Sequence, residues 1–296
     1  MNSYVLITPV RNEENTIEQT IQSVCNQTIQ PTEWVIVSDG SIDNTNSIIH
    51  KWTRLHSFIN PVYLENRPSR NFASVVYVTE QGLKALRCKT YSYIGLLDAD
   101  VRFSKSYFEI LINHFNENPK LGLVGGIVYD IIDCRPVRHH QRMDDVAGAT
   151  QFFSRPCFES IGQLIPIPEG GWDALTCITA RANGYLTKTC PDVVVEHLKP
   201  RNAADGHPYR RCWNNGVREY ALGNHPVFEL LKCIHRTLEH PIAIGGLLRW
   251  TSFCYCHLRR RRRVIDAATV NLVRSEQMTR LGFYFSHRKQ PEKQLS

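Results

Sequence analysis

Two carboxylates separated by a single residue, Asp98 and Asp100, directly follow the short apolar run Tyr93–Leu97. Such a run predicts a buried strand, so the acidic pair lies where that strand ends. Hard divalent cations such as Mg²⁺ and Mn²⁺ prefer carboxylate oxygens, and substrate phosphates commonly complete their coordination. The segment Asp98-Ala99-Asp100 therefore predicts a metal site for a phosphate-bearing substrate. The alternative is structural, with these side chains capping the next helix.

Two further polar clusters follow predicted strands. Thr8-Pro9-Val10-Arg11-Asn12-Glu13-Glu14 comes after Tyr4–Ile7, and Ser38-Asp39-Gly40-Ser41, with Asp43 and Thr45, comes after Trp34–Val37. Helix capping and turn formation could account for either cluster alone, since Asn, Asp and Gly are common at such positions. Because both clusters directly follow predicted strands, a role in catalysis or ligand binding is favoured over capping alone.

The segments between these strands have helical periodicity, as at Ile17, Ile21 and Val24. Strands alternating with helices predict an α/β fold with a mixed, mostly parallel sheet flanked by helices. In such a sheet the carboxyl ends of the strands form the ligand crevice, so the three clusters should converge there. Further strands are predicted at Leu121–Tyr129 and Val193–Val195, with a polar loop over Arg135–Ala147 between them.

The three clusters, in this order and spacing, resemble family 2 glycosyltransferases over roughly residues 3 to 200. The resemblance implies a GT-A fold, inversion at the anomeric carbon and a nucleotide-sugar donor, usually a UDP-sugar. It implies that Glu13 and Asp39 bind the nucleoside, that Asp98 lies beside the ribose or base, and that Asp100 holds the metal. The implied donor-binding residues include Thr8, Pro9, Arg11 and Ala99.

The resemblance also implies a domain organisation. Residues 1–200 would form the GT-A domain, with 1–130 binding the nucleotide-sugar and 131–200 on the acceptor side. Beyond Pro200 the composition shifts to Arg, His and aromatic residues with helical patterns, which predicts a helical basic C-terminal extension over 201–296.

An inverting transfer needs a general base on the acceptor side to take the hydroxyl proton. In the family an acidic residue after a Gly-rich turn begins a helix near this point, and Glu169-Gly170-Gly171-Trp172-Asp173 matches that description. Asp173 is the predicted base, Glu169 is the alternative, and Asp173 as a helix cap is the structural reading. Trp172 could offer its ring to a sugar or pack in the core.

His197 follows the strand Val193–Val195 and matches a late histidine that in many GT-A enzymes completes the metal shell. A lone histidine at a strand end also has a structural reading. Arg67 or Arg70 could reach the diphosphate, because the planar guanidinium can bind two oxygens at once. The polar segment with Arg138, His139, His140, Arg142, Asp144 and Asp145 lies where the acceptor region begins, and for most of these residues surface charge is the simpler explanation.

The charge of the chain is uneven. The formal net charge is +7, and residues 201–296 carry 17 Lys and Arg against 7 Asp and Glu, so this part is +10 and residues 1–200 are −3. The run Arg259–Arg263 could meet an anionic membrane or an acidic partner, or could be a solvated charge run. The ten cysteines are scattered, and neither a signal sequence nor a spanning helix is evident, which predicts a cytoplasmic protein in contact with the inner membrane face at most.

Competing functions lack their motifs. Nucleotidyltransferases and dinucleotide-dependent dehydrogenases place a Gly-rich loop after the first strand, and Val10-Arg11-Asn12-Glu13 contains no glycine. A non-catalytic module that binds membrane or nucleic acid through the basic tail is the alternative function. The acceptor is expected to be a soluble or lipid-linked glycan, in polysaccharide, cell-wall or glycolipid synthesis, and Mn²⁺ or Mg²⁺ is the expected cofactor.

Overall fold

The computed structural model describes residues 3–65, 71–138, 142–199, 207–238 and 241–288. The chain divides into two compact units. The sheet unit comprises Met1–Pro168 and Trp172–Ala203, and the helical unit comprises Glu169–Gly171 and Ala204–Ser296. The assignment of donor and acceptor functions to parts of the chain stays a prediction.

The sheet unit alternates strands and helices along its first hundred residues, as the βαβ pattern predicts. Its strands are β1 (Tyr4–Val10), β2 (Glu33–Asp39), β3 (Ile59–Leu64), β4 (Tyr93–Leu97), β5 (Val101–Phe103), β6 (Leu121–Ile132), β7 (Arg135–Arg138), β8 (Thr150–Ser154) and β9 (Leu186–His197). Its helices are α1 (Ile17–Cys25), α2 (Thr45–Thr53), α3 (Ala73–Ala85), α4 (Tyr107–Glu117), α5 (Arg155–Ile161) and α6 (Trp172–Ala182).

Within the described residues all these strands join one sheet in the order β3-β2-β1-β4-β8-β6-β9-β5, with β7 paired to β6. The four strands β3, β2, β1 and β4 are parallel, which brings the ends of β1, β2 and β4 to one edge. β8 runs antiparallel between β4 and β6, while β6 and β9 are parallel to each other. The sheet is therefore mixed, in agreement with the predicted α/β class.

Helices cover both faces of the sheet because its central strands are apolar on both faces. Along β1, Tyr4 and Leu6 belong to one buried cluster with α1 and α4, while Val5 and Ile7 belong to a second with α3 and α6. This alternation follows from the two-residue period of a strand. The result is a three-layer arrangement that holds the strand ends rigidly.

The structure corrects two sequence expectations. The predicted polar loop over Arg135–Ala147 contains strand β7, whose residues Arg135 and Arg138 pair with Ile132 and Tyr129 of β6. β8 was not predicted, although it is a central strand between β4 and β6. Its identity depends on long-range pairing, which periodicity over five residues does not reveal.

The helical unit consists of α7 (Pro208–Ala221), α8 (Pro226–His235), a short 3₁₀ helix at Arg236–Leu238, α9 (Ile244–Leu258) and α10 (Ala267–Arg288). α7 and α9 pack closely at Gly216, where an added Cβ would overlap the Arg249 carbonyl oxygen and the Ser252 hydroxyl. In the described part of the chain, no helix combines the length and apolar character needed to cross a bilayer. All ten cysteines are free thiols.

Candidate active site

The loops after β1 and β2 are held together by backbone and side-chain hydrogen bonds. The Glu13 amide donates to Thr45 Oγ1 at 2.8 Å, and the Glu14 amide donates to Asp43 Oδ2 at 3.1 Å. Asn12 adopts a positive φ of 52°, and its Oδ1 accepts from the Ile42 amide. Side chains of each cluster thus accept hydrogen bonds from backbone amides of the other cluster. A role in capping these loops is therefore compatible with a role in ligand binding.

At the ends of β1 and β2, the guanidinium of Arg11 lies close to the buried carboxylate of Asp39. Arg11 Nη1 lies 3.9 Å from Asp39 Oδ2, and Asp39 is 2% exposed. Thr8 lies inside β1, fully buried, where its hydroxyl accepts from the Trp34 indole at 2.9 Å. Arg11 and Asp39 are therefore brought together at the strand ends, while the hydroxyl of Thr8 already has a partner within the sheet.

The segment Asp98-Ala99-Asp100 is fixed from both sides. Thr20 on α1 donates its hydroxyl to the carbonyls of Ala99 and Val101 at 2.9 Å, and accepts from the Val101 amide at 3.1 Å. On the other side, the Asp98 amide donates to the Ala149 carbonyl at 3.0 Å. These contacts hold the backbone of the acidic pair.

Asp98, Asp100 and His197 converge, and their ligand atoms all lie within 4.8 Å of one another. β5 pairs antiparallel with β9, which places Val101 opposite His197. His197 Nε2 is 3.4 Å from Asp100 Oδ1. Two carboxylates and an imidazole suit a divalent cation such as Mn²⁺ or Mg²⁺, so the donor chemistry of these residues fits the metal that the sequence predicts.

The electrostatics of the cluster point in the same direction. Burial raises the pKa of Asp100, and the negative charge of Glu13 raises it further, although His197 and Lys199 act in the opposite sense. A bound divalent cation would favour the ionised form of Asp100 and so offset the burial cost. The site therefore fits a cation on charge as well as on ligand type.

Three residues of the site were not found from the sequence. Asp130 on β6 is 1% exposed and its Oδ1 lies 3.3 Å from His197 Nδ1. Lys199 pairs with Glu13 Oε2 at 2.6 Å, and Thr20 holds the acidic loop as described. An aspartate within the otherwise apolar β6 was a signal for Asp130, whereas the partners of Lys199 and Thr20 depend on the fold.

Asp173, the predicted base, lies in the first turn of α6, and its Oδ2 accepts from the Gly148 amide at 3.2 Å. Gly148 precedes Ala149, whose carbonyl binds the Asp98 amide. Asp173 and Asp98 are thus anchored to adjacent residues. Trp172 packs against the buried cluster of α3 and α6, which favours core packing for at least part of its ring.

Residues Glu169 to Gly171 belong to the helical unit, where Glu169 Oε1 accepts from Arg261 Nη2 at 2.7 Å. Gly170 and Gly171 have φ values of 88° and 96°, a region that glycine adopts without strain. A Cβ on Gly171 would also lie 2.8 Å from Leu222 Cδ1. The Gly-rich turn is therefore required by backbone conformation.

Several predicted contacts have other outcomes. Arg67, Arg70, His139 and His140 lie outside the described residues. Arg138 is exposed on β7, and Arg142 pairs with Asp144. Asp145 pairs with Arg181 Nη2 at 3.0 Å. Among the described residues of this polar segment, ion pairs that hold the segment to α6 account for much of the charge.

Residues 5–171 match the family model described as glycosyl transferase family 2. The match covers more than half of the chain and includes the β1, β2 and β4 ends with all three clusters. The chain belongs to glycosyl transferase family 2. This confirms the resemblance inferred from the motifs.

The curated relatives of this transferase are polysaccharide synthases. The poly-beta-1,6-N-acetyl-D-glucosamine synthase of Staphylococcus aureus strain MSSA476 is 35% identical over 115 residues, which is 39% of this chain and 26% of the synthase. The synthase of the same description from Staphylococcus epidermidis is 32% identical over 115 residues, with the same shares. The chain thus matches about a quarter of the length of these relatives.

Solved structures show the fold of the transferase. A mannosyltransferase from Pyrobaculum calidifontis in complex with GDP-Man and Mn²⁺ has a TM-score of 0.55 at 17% identity, covering 96% of this chain and 81% of that one. TarS residues 1–349 from S. aureus in complex with UDP-GlcNAc has a TM-score of 0.54 at 14% identity, covering 87% and 73%. The GT-A-like fold is confirmed.

Proposed function

We propose that this chain transfers a sugar from a nucleotide-sugar to an acceptor hydroxyl, with inversion and with a divalent cation bound at Asp100 and His197, beside Asp98. The convergence of these three side chains at the end of β4, within 4.8 Å of one another, carries the proposal. Family membership supports the reaction type. The mannosyltransferase of similar fold was solved with Mn²⁺, which supports the cofactor.

The nucleoside is proposed to bind at the ends of β1 and β2. Asp39 presents a buried carboxylate there beside the Arg11 guanidinium, and Glu13 lies close enough to Asp100 to affect its pKa. A carboxylate can accept hydrogen bonds from ribose hydroxyls or from base N–H groups. Pro9 and Ala99 flank these residues, and Arg70 is proposed to contact the diphosphate.

Asp100 and His197 are proposed to hold the cation, with Asp98 beside the ribose and the cation. When bound, the cation would neutralise negative charge that develops on the departing diphosphate. Asp130 is proposed to support the charge and position of His197: its Oδ1 lies 3.3 Å from Nδ1, within ion-pair distance though not in hydrogen-bond geometry, while Nε2 lies 3.4 Å from Asp100. The protein's own role is to hold these metal-ligating side chains in position before the substrate binds.

Asp173 is the proposed base, taking the proton of the acceptor hydroxyl as that oxygen attacks the anomeric carbon. Its carboxylate accepts one amide hydrogen bond, from Gly148, and retains acceptor capacity. The alternative, Glu169, has one carboxylate oxygen already engaged by the Arg261 guanidinium at 2.7 Å. The structure therefore favours Asp173 on chemical grounds.

A UDP-sugar is the proposed donor, since TarS was solved with UDP-GlcNAc and the curated relatives make poly-N-acetylglucosamine. The proposed acceptor is a soluble or lipid-linked glycan on the cytoplasmic side, in polysaccharide, cell-wall or glycolipid synthesis. The predicted contact between Arg259–Arg263 and an anionic membrane concerns the helical unit and is independent of the donor site.

Calorimetric titration of UDP and of GDP, each with and without Mn²⁺, tests the proposal. One nucleotide should bind with metal, and Asp100→Asn should abolish that binding, because the variant keeps the shape of the side chain and loses its charge. Glu117→Gln is the matched control, since Glu117 is an exposed carboxylate at the end of α4. Failure of both nucleotides to bind the wild type, or equal binding by Asp100→Asn, would contradict it.

A further inference from the structure

The solvent-facing side of helix α9 is apolar. Ile244, Leu247, Thr251, Tyr255 and Leu258 recur every three or four residues and fall within an arc of about 80° at 100° per residue. All five are exposed, with Leu247 at 62% and Leu258 at 83%. The opposite side of α9 packs against α7. A helix at a protein–water surface normally carries polar residues on its outer side.

The preceding helix repeats this pattern. Val227, Leu230 and Ile234 of α8 are exposed at i, i+3 and i+7, and the connection to α9 adds Leu238 at 84% and Ile242 at 65%. α8 and α9 are in close contact, since a Cβ on Gly246 would lie 2.7 Å from the Cys233 carbonyl oxygen. We call these exposed residues the apolar face: Val227, Leu230, Ile234, Leu238, Ile242, Ile244, Leu247, Tyr255 and Leu258.

The charge of the same segment is strongly positive. Residues 225–265 contain eight Lys and Arg (Lys232, Arg236, Arg249 and Arg259–Arg263) and two Glu (Glu229 and Glu239). Glu229 is fully buried, so its carboxylate is not presented at the surface. The apolar face therefore lies in a segment in which Lys and Arg outnumber Glu eight to two.

The five arginines of the run Arg259–Arg263 differ in their contacts and exposure. Arg261 pairs with Glu169, and Arg263 lies over the Tyr220 ring at 4.0 Å and donates to the Tyr220 carbonyl. Arg259, Arg260 and Arg262 are exposed directly after Leu258. The prediction that all of Arg259–Arg263 meets a membrane is thus narrowed to three of the five arginines.

A cavity of about 470 Å³ adjoins this surface. Its lining includes Trp213, Tyr255 and Arg259, together with Arg261, whose guanidinium pairs with Glu169. Arginine binds phosphate oxygens, and aromatic rings with a polar edge are favoured at the boundary between lipid and water. Tyr255 belongs to both the cavity and the apolar face, so the two are contiguous.

We propose that the apolar face lies in the headgroup region of an anionic bilayer, with Arg259, Arg260 and Arg262 directed to lipid phosphates. α9 has 15 residues and is about 22 Å long, shorter than the roughly 30 Å hydrocarbon core, so it lies along the surface. A second copy of the chain is the other conceivable occupant. It would bring a second segment with eight Lys and Arg against two Glu to the same face, so repulsion between like charges favours the bilayer.

Flotation of the full chain with vesicles tests the proposal, using phosphatidylcholine alone and phosphatidylcholine with phosphatidylglycerol at about two to one. The wild type should float with the anionic vesicles. Leu247→Gln with Leu258→Gln should lower the partition coefficient about tenfold or more, because two apolar side chains are lost. Arg259→Gln with Arg262→Gln should lower it about 25-fold on anionic vesicles, and less as salt is added.

Leu55→Gln and Arg54→Gln are the matched controls, since both residues are exposed in the sheet unit and Leu55 is 65% exposed. They should float like the wild type. Nucleotide binding should be unchanged in all these variants, so this test and that of the donor site fail independently. A wild type that does not float, or a leucine pair that abolishes self-association in sedimentation and leaves flotation unchanged, would overturn the proposal.

Discussion

The contact between Asp130 and His197 gives a sharp test of the proposed metal site, because Asp130 is predicted to act on the metal through the histidine. Asp130 is 1% exposed, and its Oδ1 lies 3.3 Å from His197 Nδ1. A carboxylate in this position fixes the ring orientation and makes the opposite nitrogen a better ligand. Asp130→Asn keeps the volume of the side chain and removes its charge.

The expected loss follows from the role of outer-shell carboxylates, whose substitution typically lowers metal affinity about 10- to 100-fold, or about 1.4 to 2.7 kcal/mol. We expect Asp130→Asn to lower Mn²⁺-dependent nucleotide affinity within this range. Metal-independent nucleotide affinity should change little, since Asp130 is not among the residues proposed to contact the donor. Calorimetric titration of Mn²⁺ at fixed nucleotide concentration measures the effect.

A double-mutant cycle separates positioning from general damage to the sheet. In a His197→Ala background, Asp130→Asn should have no further effect on metal dependence. Glu159→Gln is the control, since the Glu159 carboxylate pairs with Arg155 Nε at 2.6 Å away from the site. Full metal affinity in Asp130→Asn, or an equal loss with and without His197, would refute the reasoning.

Three further predictions concern stability. Lys232→Met should destabilise the helical unit by about 3–5 kcal/mol in urea unfolding. The variant removes the ammonium group that lies 2.6 Å from the buried carboxylate of Glu219 and 4.0 Å from that of Glu229. An unchanged urea midpoint would contradict this prediction. Gly216→Ala should lower the free energy of unfolding by about 1–3 kcal/mol, because the added methyl group overlaps α9. Gly282→Ala is the control, since its methyl group would meet nothing within 4 Å, and it should be neutral or stabilising by up to about 1 kcal/mol. Equal shifts in melting temperature for the two variants would refute the packing argument. Burial opposes ionisation of Asp43, but hydrogen bonds from Thr45 and the Glu14 amide outweigh it and lower its pKa. Its contribution to stability should be complete above about pH 4 and be lost as the pH falls through the lowered pKa, so Asp43→Asn should weaken the acid dependence of the melting temperature.

The parts of the site that were predictable are local in sequence. Asp98 and Asp100 follow an apolar run, and the Gly40 turn follows another, so strand ends and loops could be identified within windows of about ten residues. Convergence then followed from the rule for parallel strands. The family assignment followed from the order of these motifs.

The parts that were missed depend on pairing between distant strands. Asp130 meets His197 because β6 and β9 pair with a register shift, in which Gly126 lies opposite Cys190 but Ile127 lies opposite Val194. Pro191 in β9 and Gly125-Gly126 in β6 are local signals of a break in the ladder, but the size of the register shift depends on how the two strands pair. The short strand β8 has the same cause, since it exists by pairing with β4 and β6.

The dipeptide Gly148-Ala149 has a consequence for how the two halves of the reaction are coordinated. Ala149 binds the segment that carries the acidic pair, and Gly148 binds the carboxylate of Asp173. Successive Cα atoms across a trans peptide are about 3.8 Å apart, and the peptide plane resists distortion. One rigid link thus spaces Asp173, the proposed base, from the acidic pair at the proposed metal site. A shift of the Gly148-Ala149 peptide would displace Asp173 and the acidic pair together. A variant at this peptide should therefore impair the use of the sugar acceptor and of the nucleotide-sugar donor to the same extent.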